Sequence, residues 1–417
     1  MSVKKTLVFA PAAFNLAEVT RMIEVAKGAR RSFHCVFISY DGARRHAALI
    51  EGEGFELHHL DPQMSPEDIQ QFWAVDRGEK IGEIIAFDKV LARVEAELAL
   101  YKQVGAVGVV TGFCLSVSVS ARVAKLPLVW IAQTTWLREY AVEHAVWPDA
   151  FDYPRLRVLP ERWLNALARA MLPRFARLAA RPFTRASRRY GLTGFTGYDL
   201  LEGDHTLFAE PKGFSPTPVP ARLAGRHAFI GPLIARLPNP VPAALVRRDP
   251  SRPLVYFAMG SSGVEETVAK IVEGFARAPY DVVAPIAQLV SERRLRVPEN
   301  VMVTDLLPAH LVNPMADVSV IHGGIGTVLT ACLSGTPIVG IGNGLIEQEH
   351  NLDCVVRKGF AVRLRHKRFT PGDVLSAVER YLDDARAKQA ARAYAVTASS
   401  YDPSELSGRY LEHAFGS

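Results

Sequence analysis

The chain has 417 residues, of which 49% are hydrophobic and 22% charged, and its 49 Lys and Arg exceed its 43 Asp and Glu. This composition excludes wholesale disorder and fibrous structure, and four cysteines without a CxxC pair argue against a disulfide scaffold or a structural zinc site. Free thiols favour a reducing, cytoplasmic location, and no run approaches the ~18 apolar residues of a membrane span. At roughly 150 residues per domain, the length predicts two to three domains.

The first 131 residues alternate between strand and helix patterns. We interpret the apolar run at 6–11 as a first strand and not as a signal peptide, because Pro11 and Asn15 interrupt it and helical spacing follows. The later segments are strands at 33–39, 55–60, 106–110 and 126–131 and helices at 44–51, 81–101 and 116–124. Such alternation predicts a parallel, doubly wound sheet with right-handed crossovers.

A strongly basic stretch follows at 151–192. It holds ten arginines against Asp152 and Glu161, a local charge of +8, with large apolar residues at helical spacing between them. The favoured interpretation is a helix pair whose apolar face packs on the core. Alternatives are a peripheral contact of 155–189 with an anionic membrane and a basic wall facing an acidic acceptor or partner. No nucleic-acid-binding module accompanies the charge, so no nucleic-acid partner is expected.

The strand and helix alternation restarts after residue 250. Strands are predicted at 254–258, 282–284, 301–304, 318–321 and 337–341, and a helix at 265–276. A proline-rich stretch at 237–244 precedes them. We therefore predict two α/β domains with Rossmann-like, doubly wound parallel sheets that face across a ligand-binding cleft. The expected boundaries are an N-terminal domain at 1–232, a linker at 233–251 and a C-terminal domain at 252–400.

The most informative segment is the turn after the strand at 318–321. His322 is followed by three glycines within four positions and then by Thr327 and a helix. Glycines let backbone amides approach a phosphate, and a helix N-terminus adds a positive field. The alternative is a tight turn around a histidine with a purely structural role.

A second segment, at 335–351, is a strand with a glycine-rich exit followed by Glu347 and Gln348. A carboxylate beside an amide can satisfy vicinal sugar hydroxyls, which fits recognition of a sugar. The alternative is a solvated polar turn.

Together these segments resemble the nucleotide-sugar site of family-1 glycosyltransferases of the glycosyltransferase-B fold, which include bacterial natural-product enzymes. The motifs occur in order and at similar spacing: His322-Gly-Gly-Ile-Gly-Thr327, Gly335-Thr-Pro337 and Glu347-Gln-Glu-His-Asn351. Residues 255–262 also resemble the strand and phosphate-side loop of that family, and Asp305-Leu-Leu-Pro308 resembles its nucleobase-binding turn. The resemblance covers most of 228–365. It implies a C-terminal helix, within 401–417, that packs back on the N-terminal domain.

The resemblance also assigns roles on the donor side. His322 would stabilise the leaving diphosphate, Thr327 and two serines would bond phosphate oxygens, and Glu347 with Gln348 would hold the sugar. The nucleobase pocket would be lined by aliphatic side chains, where the family usually has an aromatic residue. The implied donor-binding residues are Gly260, Ser261, Ser262, Leu306, Leu307, His322, Gly323, Gly324, Gly326, Thr327, Glu347 and Gln348. No Asp-x-Asp triplet is present, which fits a metal-independent reaction.

The N-terminal half departs from the family at two positions. Asn15 stands where the family has a general-base histidine, and Thr111 stands where it has the aspartate that orients this base. Three explanations are open. The acceptor is acidic enough to need little base help, another group such as Glu18 or His144 acts, or the protein binds the donor without transferring it. The acceptor-side candidates are Gln133, Thr134, Trp136 and His144.

The favoured function is an inverting, metal-independent glycosyltransferase. It would move a sugar from a UDP- or dTDP-linked donor to a small, natural-product-like acceptor and would hold no tightly bound cofactor. The alternatives are a nucleotide-sugar-binding auxiliary or inactive homologue, a glycosyltransferase acting on a lipid acceptor at the membrane, and a nucleotide-sugar epimerase of the same fold.

Overall fold

A computed structural model describes residues 4–193, 195, 197–260, 265–276, 278–293 and 295–416. Their contacts divide the chain into two compact units. Unit 1 comprises the described residues of Met1–Trp147, Leu159–Leu233 and Tyr401–Ser417, and unit 2 comprises those of Pro148–Val158 and Ile234–Ser400. Among the described helices, none combines the length and the apolar character that crossing a bilayer requires.

Unit 1 is an α/β unit built on one parallel sheet. Its strands are β1 (Lys5–Ala10), β2 (Phe33–Asp41), β3 (Glu56–Met64), β4 (Ala106–Thr111), β5 (Leu128–Ala132), β6 (His205–Phe208) and β7 (His227–Phe229). Its helices are α1 (Leu16–Ala29), α2 (Ala47–Gly52), α3 (Pro66–Asp76), α4 (Phe87–Val104), α5 (Val117–Ala124), α6 (Arg138–Glu143), α7 (Glu161–Ala179) and α8 (Arg181–Arg189). The strand order is β3-β2-β1-β4-β5-β6-β7.

The strand order of unit 1 reverses between β1 and β4, where Ala10 pairs with Thr111. Loops that leave neighbouring strands in opposite directions open a crevice at such a point. The strands on either side are almost fully buried, as expected for a parallel sheet covered on both faces. The groups that follow β1 and β4 are therefore placed where ligands bind in this class of sheet.

Unit 2 repeats the architecture with six parallel strands. Its strands are β8 (Leu254–Ala258), β9 (Asp281–Ala284), β10 (Val301–Val303), β11 (Val318–Ile321), β12 (Ile338–Gly340) and β13 (Ala361–Arg363). Its helices are α9 (Ala243–Val246), α10 (Glu265–Gly274), α11 (Ala287–Arg293), α12 (Ala309–Val312), α13 (Ile325–Ser334), α14 (Ile346–Val356), α15 (Pro371–Asp383) and α16 (Ala385–Ser399). The strand order β10-β9-β8-β11-β12-β13 reverses between β8 and β11, where Ala258 pairs with Ile321.

The last helix, α17 (Pro403–Phe415), belongs to unit 1 and packs on α1. Gly28 and Gly408 allow the two helices to touch, since a Cβ on Gly28 would stand 1.9 Å from the carbonyl oxygen of Ser404. Phe415 at its end fills the space over Gly108 of β4. Leu411 and Phe415 of α17 are buried in the same core cluster as residues of α1, so apolar side chains complete the contact.

The structure confirms the predicted class, two parallel-sheet α/β units, and differs from the sequence prediction in four details. The helix expected at 81–101 begins only at Phe87, because Gly82 takes a φ of +156° that no helix accommodates. The sequence prediction lacked helix α3 and the strands β6, β7 and β13. The run Ile230-Gly-Pro232, which resembles an interdomain strand, has no regular structure and follows β7. Finally, Pro148–Val158, expected in the N-terminal domain, clusters with unit 2.

Candidate functional site

The carboxyl end of β11 carries His322, whose imidazole is buried between two glycines. A Cβ on Gly260 or Gly324 would stand 2.7 Å or 2.5 Å from Nε2, so glycine at both positions makes room for the ring. Nδ1 lies 3.3 Å from the carbonyl oxygen of Ala258. Because a carbonyl oxygen only accepts, Nδ1 donates and Nε2 of the neutral ring is an acceptor. Burial lowers the pKa of His322 to about 4, so the free imidazole is neutral at physiological pH.

The N-terminus of α13 starts two residues after His322. Gly324 is the N-cap residue, and no side chain caps the helix. Gly323 has a φ of +91°, and a Cβ there would strike the carbonyl oxygen of Gln348 at 2.5 Å. A Cβ on Gly326, by contrast, would meet open space. The first-turn amides and the half-buried Thr327 therefore present hydrogen-bond donors and a positive field that suit an anion.

The structure joins α14 to this glycine turn. Asn351 donates from Nδ2 both to Glu347 Oε1 and to the carbonyl oxygen of Gly323, each at 3.1 Å. Gln348 Oε1 accepts from the backbone N–H of Asn343 at 2.8 Å, and Asn343 Nδ2 donates to the carbonyl oxygen of Met259 at 3.1 Å. The two segments singled out in the sequence are thus parts of one polar surface in unit 2. Asn343 was missed, because a glycine-flanked asparagine reads as an ordinary turn.

The predicted nucleobase and phosphate contacts differ in exposure, and two of them lie outside the described residues. Leu306 is 54% exposed, whereas Leu307 is buried in the body of the unit. At this turn Leu306 therefore presents far more of its side chain than Leu307 does. Ser261 and Ser262, the predicted phosphate contacts, lie outside the described residues.

At the corresponding edge of unit 1, Asn15 and Thr111 make structural hydrogen bonds. Asn15 is the N-cap of α1, and its Oδ1 accepts from the backbone N–H of Ala17 at 3.0 Å. Thr111 is buried, and its Oγ1 donates to the carbonyl oxygen of Ala10 at 2.9 Å and accepts from the N–H of Cys114 at 3.3 Å. An amide and a hydroxyl in these roles fix the two loops but do not take a proton near neutral pH.

Glu18 brings a carboxylate to this edge. Its Oε2 lies so close to Gly112 that a Cβ there would stand 2.0 Å away. Glu18 Oε1 also pairs with Arg21 Nη1 at 3.0 Å, and both side chains are buried. The first turn of α1 therefore places a carboxylate against the turn that follows β4, one residue after Thr111.

Two of the four acceptor-side candidates are buried, and the other two are partly exposed. Thr134 is buried, bonded to the Glu210 carboxylate and 2.6 Å from Ser215 Oγ, so it braces the loop after β5. Gln133 is fully buried beside it. His144 is partly exposed at the end of α6 and lies 3.8 Å from the Glu143 carboxylate. Trp136 is partly exposed and belongs to a larger cluster.

Five half-buried aromatic side chains form this aromatic cluster at the carboxyl edge of the unit 1 sheet. Phe14 follows β1, Phe113 follows β4, Trp136 follows β5, and Phe72 and Trp73 lie on α3. Ring centroids are 5.3 Å apart for Phe14 and Phe72, 5.9 Å for Phe72 and Phe113, and 5.2 Å for Phe113 and Trp136. No pattern in the sequence predicted the cluster, because its members lie on four separate segments that only the sheet brings together.

The basic stretch is helical, and α7 has two apolar faces. Leu164, Ala168 and Leu172 are buried at four-residue spacing, as the favoured interpretation expected. Trp163 and Leu167, however, are 58% and 44% exposed. Exposed arginines flank them on the same helix, at positions Arg162, Arg174 and Arg177.

Comparisons with known proteins agree with this architecture. The family described as "Erythromycin biosynthesis protein CIII-like, C-terminal domain" matches residues 269–412. A "PGL/p-HBAD biosynthesis rhamnosyltransferase" of Mycobacterium bovis is 30% identical over 314 residues, which are 74% of this chain and 68% of the relative. An "Inactive PGL/p-HBAD biosynthesis glycosyltransferase" of the same species is 30% identical over 172 residues, 40% of this chain and 44% of the relative. The solved structure of the glycosyltransferase VinC in complex with dTDP has a TM-score of 0.69 at 20% identity and covers 99% of this chain and 100% of its own.

Two parallel-sheet units of this topology show the glycosyltransferase-B fold. The identity to the mycobacterial rhamnosyltransferase over three quarters of the chain shows the family. The protein belongs to the family-1-like glycosyltransferases and is a glycosyltransferase.

Proposed function

We propose that the protein transfers a sugar with inversion from a dTDP-linked donor to a phenolic acceptor, without a metal ion. The observation that carries the proposal is His322 at the mouth of α13, where its imidazole and the first-turn amides lie on one anion-binding surface. A diphosphate bound there would be neutralised by the helix N-terminus and an imidazolium, which is the task that a metal ion performs elsewhere.

The reaction is a single displacement. The acceptor oxygen forms a bond to the anomeric carbon while the bond from that carbon to the diphosphate oxygen breaks, and the electron pair leaves with the diphosphate. The acceptor proton is released. Inversion follows because attack and departure occur on opposite sides of one carbon. The charge that develops on the departing oxygen would be stabilised by His322 and the amides of Ile325 and Gly326.

His322 must gain a proton to take this role. Its Nδ1 already donates to the carbonyl oxygen of Ala258, so Nε2 can donate to a phosphate oxygen only in the imidazolium form. A diphosphate favours that form, because an opposite charge at hydrogen-bond distance raises the pKa of a histidine. Donor binding is therefore coupled to proton uptake by His322.

The choice of dTDP rests on two similarities: the VinC structure contains dTDP, and the mycobacterial relative is named a rhamnosyltransferase. Calorimetry with dTDP, UDP, dTDP-rhamnose and UDP-glucose tests it. We expect dTDP-linked ligands to bind more tightly than UDP-linked ones. Absence of heat with all four would overturn the assignment of the donor site.

The phenolic acceptor is supported by the two features of the unit 1 edge. The aromatic cluster favours a planar apolar ligand, and the imidazole base is replaced by Asn15. A phenol, with a pKa of about 10, ionises far more readily than an aliphatic alcohol and needs little help from a base. Both features therefore select the same acceptor class.

Matched acceptors provide the test: methyl 4-hydroxybenzoate against methyl 4-(hydroxymethyl)benzoate, each with dTDP-rhamnose and in the presence of EDTA. We expect kcat/KM for the phenol to exceed that for the alcohol by at least about 100-fold, since a general base is worth about 10²–10⁴-fold. Equal rates would contradict the phenolic class. Donor binding without product from any acceptor would indicate an inactive homologue, and donor conversion without an acceptor would indicate an epimerase.

We also propose that α7 contacts an anionic membrane surface, which would place a lipid-linked acceptor within reach. Trp163 and Leu167 project from a helix rich in arginine, the combination that binds anionic lipid. Flotation with phosphatidylglycerol vesicles at low salt tests this proposal. Binding should fall in the Trp163→Ala, Leu167→Ala double variant and persist in Val396→Ala, which removes an exposed apolar side chain from α16. No flotation of the wild-type chain would overturn it.

A further inference from the structure

The segment Pro148–Val158, called the docking segment below, lies between α6 and α7 in the chain but packs in unit 2. It joins helix α14 and the loop after β13 through hydrogen bonds and ion pairs of its own backbone and carboxylates. Nothing in the sequence resemblance or the predicted donor site accounts for it.

Asp149 makes the deepest contacts of the docking segment. Its backbone N–H lies 3.0 Å and 3.1 Å from the two carboxylate oxygens of Glu349 on α14. Its Oδ2 accepts from the backbone N–H of His366 at 2.8 Å, and Arg365 Nη1 lies 3.5 Å from its Oδ1. Asp149 and Glu349 are both about 1% exposed, so these bonds are shielded from water.

Arg363 of β13 completes the buried part of the network. Its Nη1 pairs with Glu349 Oε2 at 3.0 Å, and its Nε lies 3.4 Å from Asp353 Oδ1. Burial and the Asp149 charge raise the pKa of Glu349 to about 8, so at neutral pH this side chain is mostly the neutral acid beside the Asp149 carboxylate. Its geometry is fixed by buried hydrogen bonds to the Asp149 backbone and to Arg363.

Asp152 makes a second anchor nearer the surface. Arg368 donates from Nε and Nη2 to its two oxygens, both at 2.6 Å, in a bidentate pair. Arg157 of the docking segment lies beside the same carboxylate, and Lys367 Nζ bonds the carbonyl oxygen of Ala150 at 2.6 Å.

The geometry of α14 connects these anchors to the sugar-side residues. At 100° per residue, Glu349 and Asp353 lie on one face of the helix, roughly opposite Glu347 and Asn351. Rotation of the helix about its axis would therefore move both faces together. The Asp149 anchor on one face sets the direction in which Glu347 and the neighbouring Gln348 point on the other, and Asp152 holds the docking segment that carries Asp149.

We propose that the docking segment, through Asp149 and Asp152, is the positioning element of the donor-sugar site and holds α14 so that Glu347 and Gln348 meet the sugar hydroxyls. This inference rests on the proposed function. It makes Asp149, Asp152, Glu349 and Arg368 positioning residues that touch no substrate.

The test compares affinity for dTDP-rhamnose with affinity for dTDP, measured by calorimetry on the full-length chain. Asp152→Ala and Arg368→Ala should each lower the ratio of the two affinities about 3- to 10-fold and change dTDP affinity less. The reason is that α14 itself carries the sugar contacts, whereas it meets the glycine turn through Asn351 and the backbone of Gln348. The double variant should lose no more than either single variant, since both remove one pair. Glu349→Gln, which keeps the shape of the buried side chain, should lower the ratio as well.

Asp281→Ala is the matched control. It breaks a partly exposed pair in unit 2, Arg252 with Asp281 at 2.9 Å, at the amino end of β9 and away from α14. The control should leave the ratio unchanged. If the Asp152→Ala, Arg368→Ala and Glu349→Gln variants kept the wild-type ratio of dTDP-rhamnose affinity to dTDP affinity, the positioning role alone would be overturned. A wild-type chain that bound neither ligand would overturn the proposed function and this inference with it.

Discussion

The carboxyl edges of the two sheets present polar groups in different ways. In unit 2, glycines around His322 bring the imidazole, backbone amides and a helix N-terminus together. In unit 1, the edge holds Asn15, Thr111 and the buried pair of Glu18 and Arg21, with aromatic rings around them. A site made of backbone groups around glycines tolerates few substitutions. An edge whose polar groups are side chains can change its chemistry and keep its fold.

Replacing His322 should break the unit 2 site most severely. We expect His322→Ala to lower kcat/KM by about 10²–10³-fold, the range for removing one donor from a developing oxyanion. Steady-state kinetics with dTDP-rhamnose and the phenol measures it, with circular dichroism to establish that the variant folds. An unchanged rate would show that the imidazole has only a structural role.

Adding a methyl group beside the imidazole should disturb the same site less. In Gly324→Ala, the new Cβ would overlap Nε2 of His322, so the ring must move, and we expect affinity for dTDP-rhamnose to fall about tenfold. Gly372→Ala is the control, because its Cβ would meet only Thr370 Oγ1 at 3.7 Å. Gly326→Ala sharpens the test: its Cβ meets open space, so a loss of affinity there would indicate that the diphosphate approaches this position. Equal affinity in Gly324→Ala and Gly372→Ala would contradict the need for close approach.

The proton taken up by His322 should make donor binding depend on pH. The free pKa is about 4 and the bound pKa is higher, so affinity should fall with rising pH between the two values, by up to about tenfold per pH unit. A nucleotide sugar is suitable because its diphosphate does not titrate near neutrality. Calorimetry in buffers of different ionisation enthalpy should register the proton, and His322→Gln should abolish the effect. Heats independent of the buffer would show that His322 stays neutral in the complex.

The smallest effect is expected at the unit 1 edge. If the phenol ionises without a general base, Glu18→Gln should retain turnover within about threefold. The rate enhancement of about 10²–10⁴-fold that a general base provides is then not used. A loss of about 100-fold with the phenol, at unchanged donor affinity, would instead make Glu18 the general base. Arg21→Gln is the companion variant, since it removes the charge that pairs with Glu18 without removing the carboxylate.

The amino-acid sequence determined the features that depend on short segments. Strand and helix alternation predicted two parallel-sheet units, and the His322 and Glu347 motifs predicted which turns would face the donor. Those predictions are possible because glycine, a helix cap and a buried strand act within a few residues of one another.

The tertiary structure alone produced the features made by segments far apart in the chain. It placed the Glu18 carboxylate against Gly112, gathered aromatic rings from four segments, and put Asp149 beside Glu349, 200 residues away. It also split α7 into a buried and an exposed apolar face. Such contacts depend on how the sheets order their strands and on where the chain passes from one unit to the other, and no local pattern of residue types encodes either.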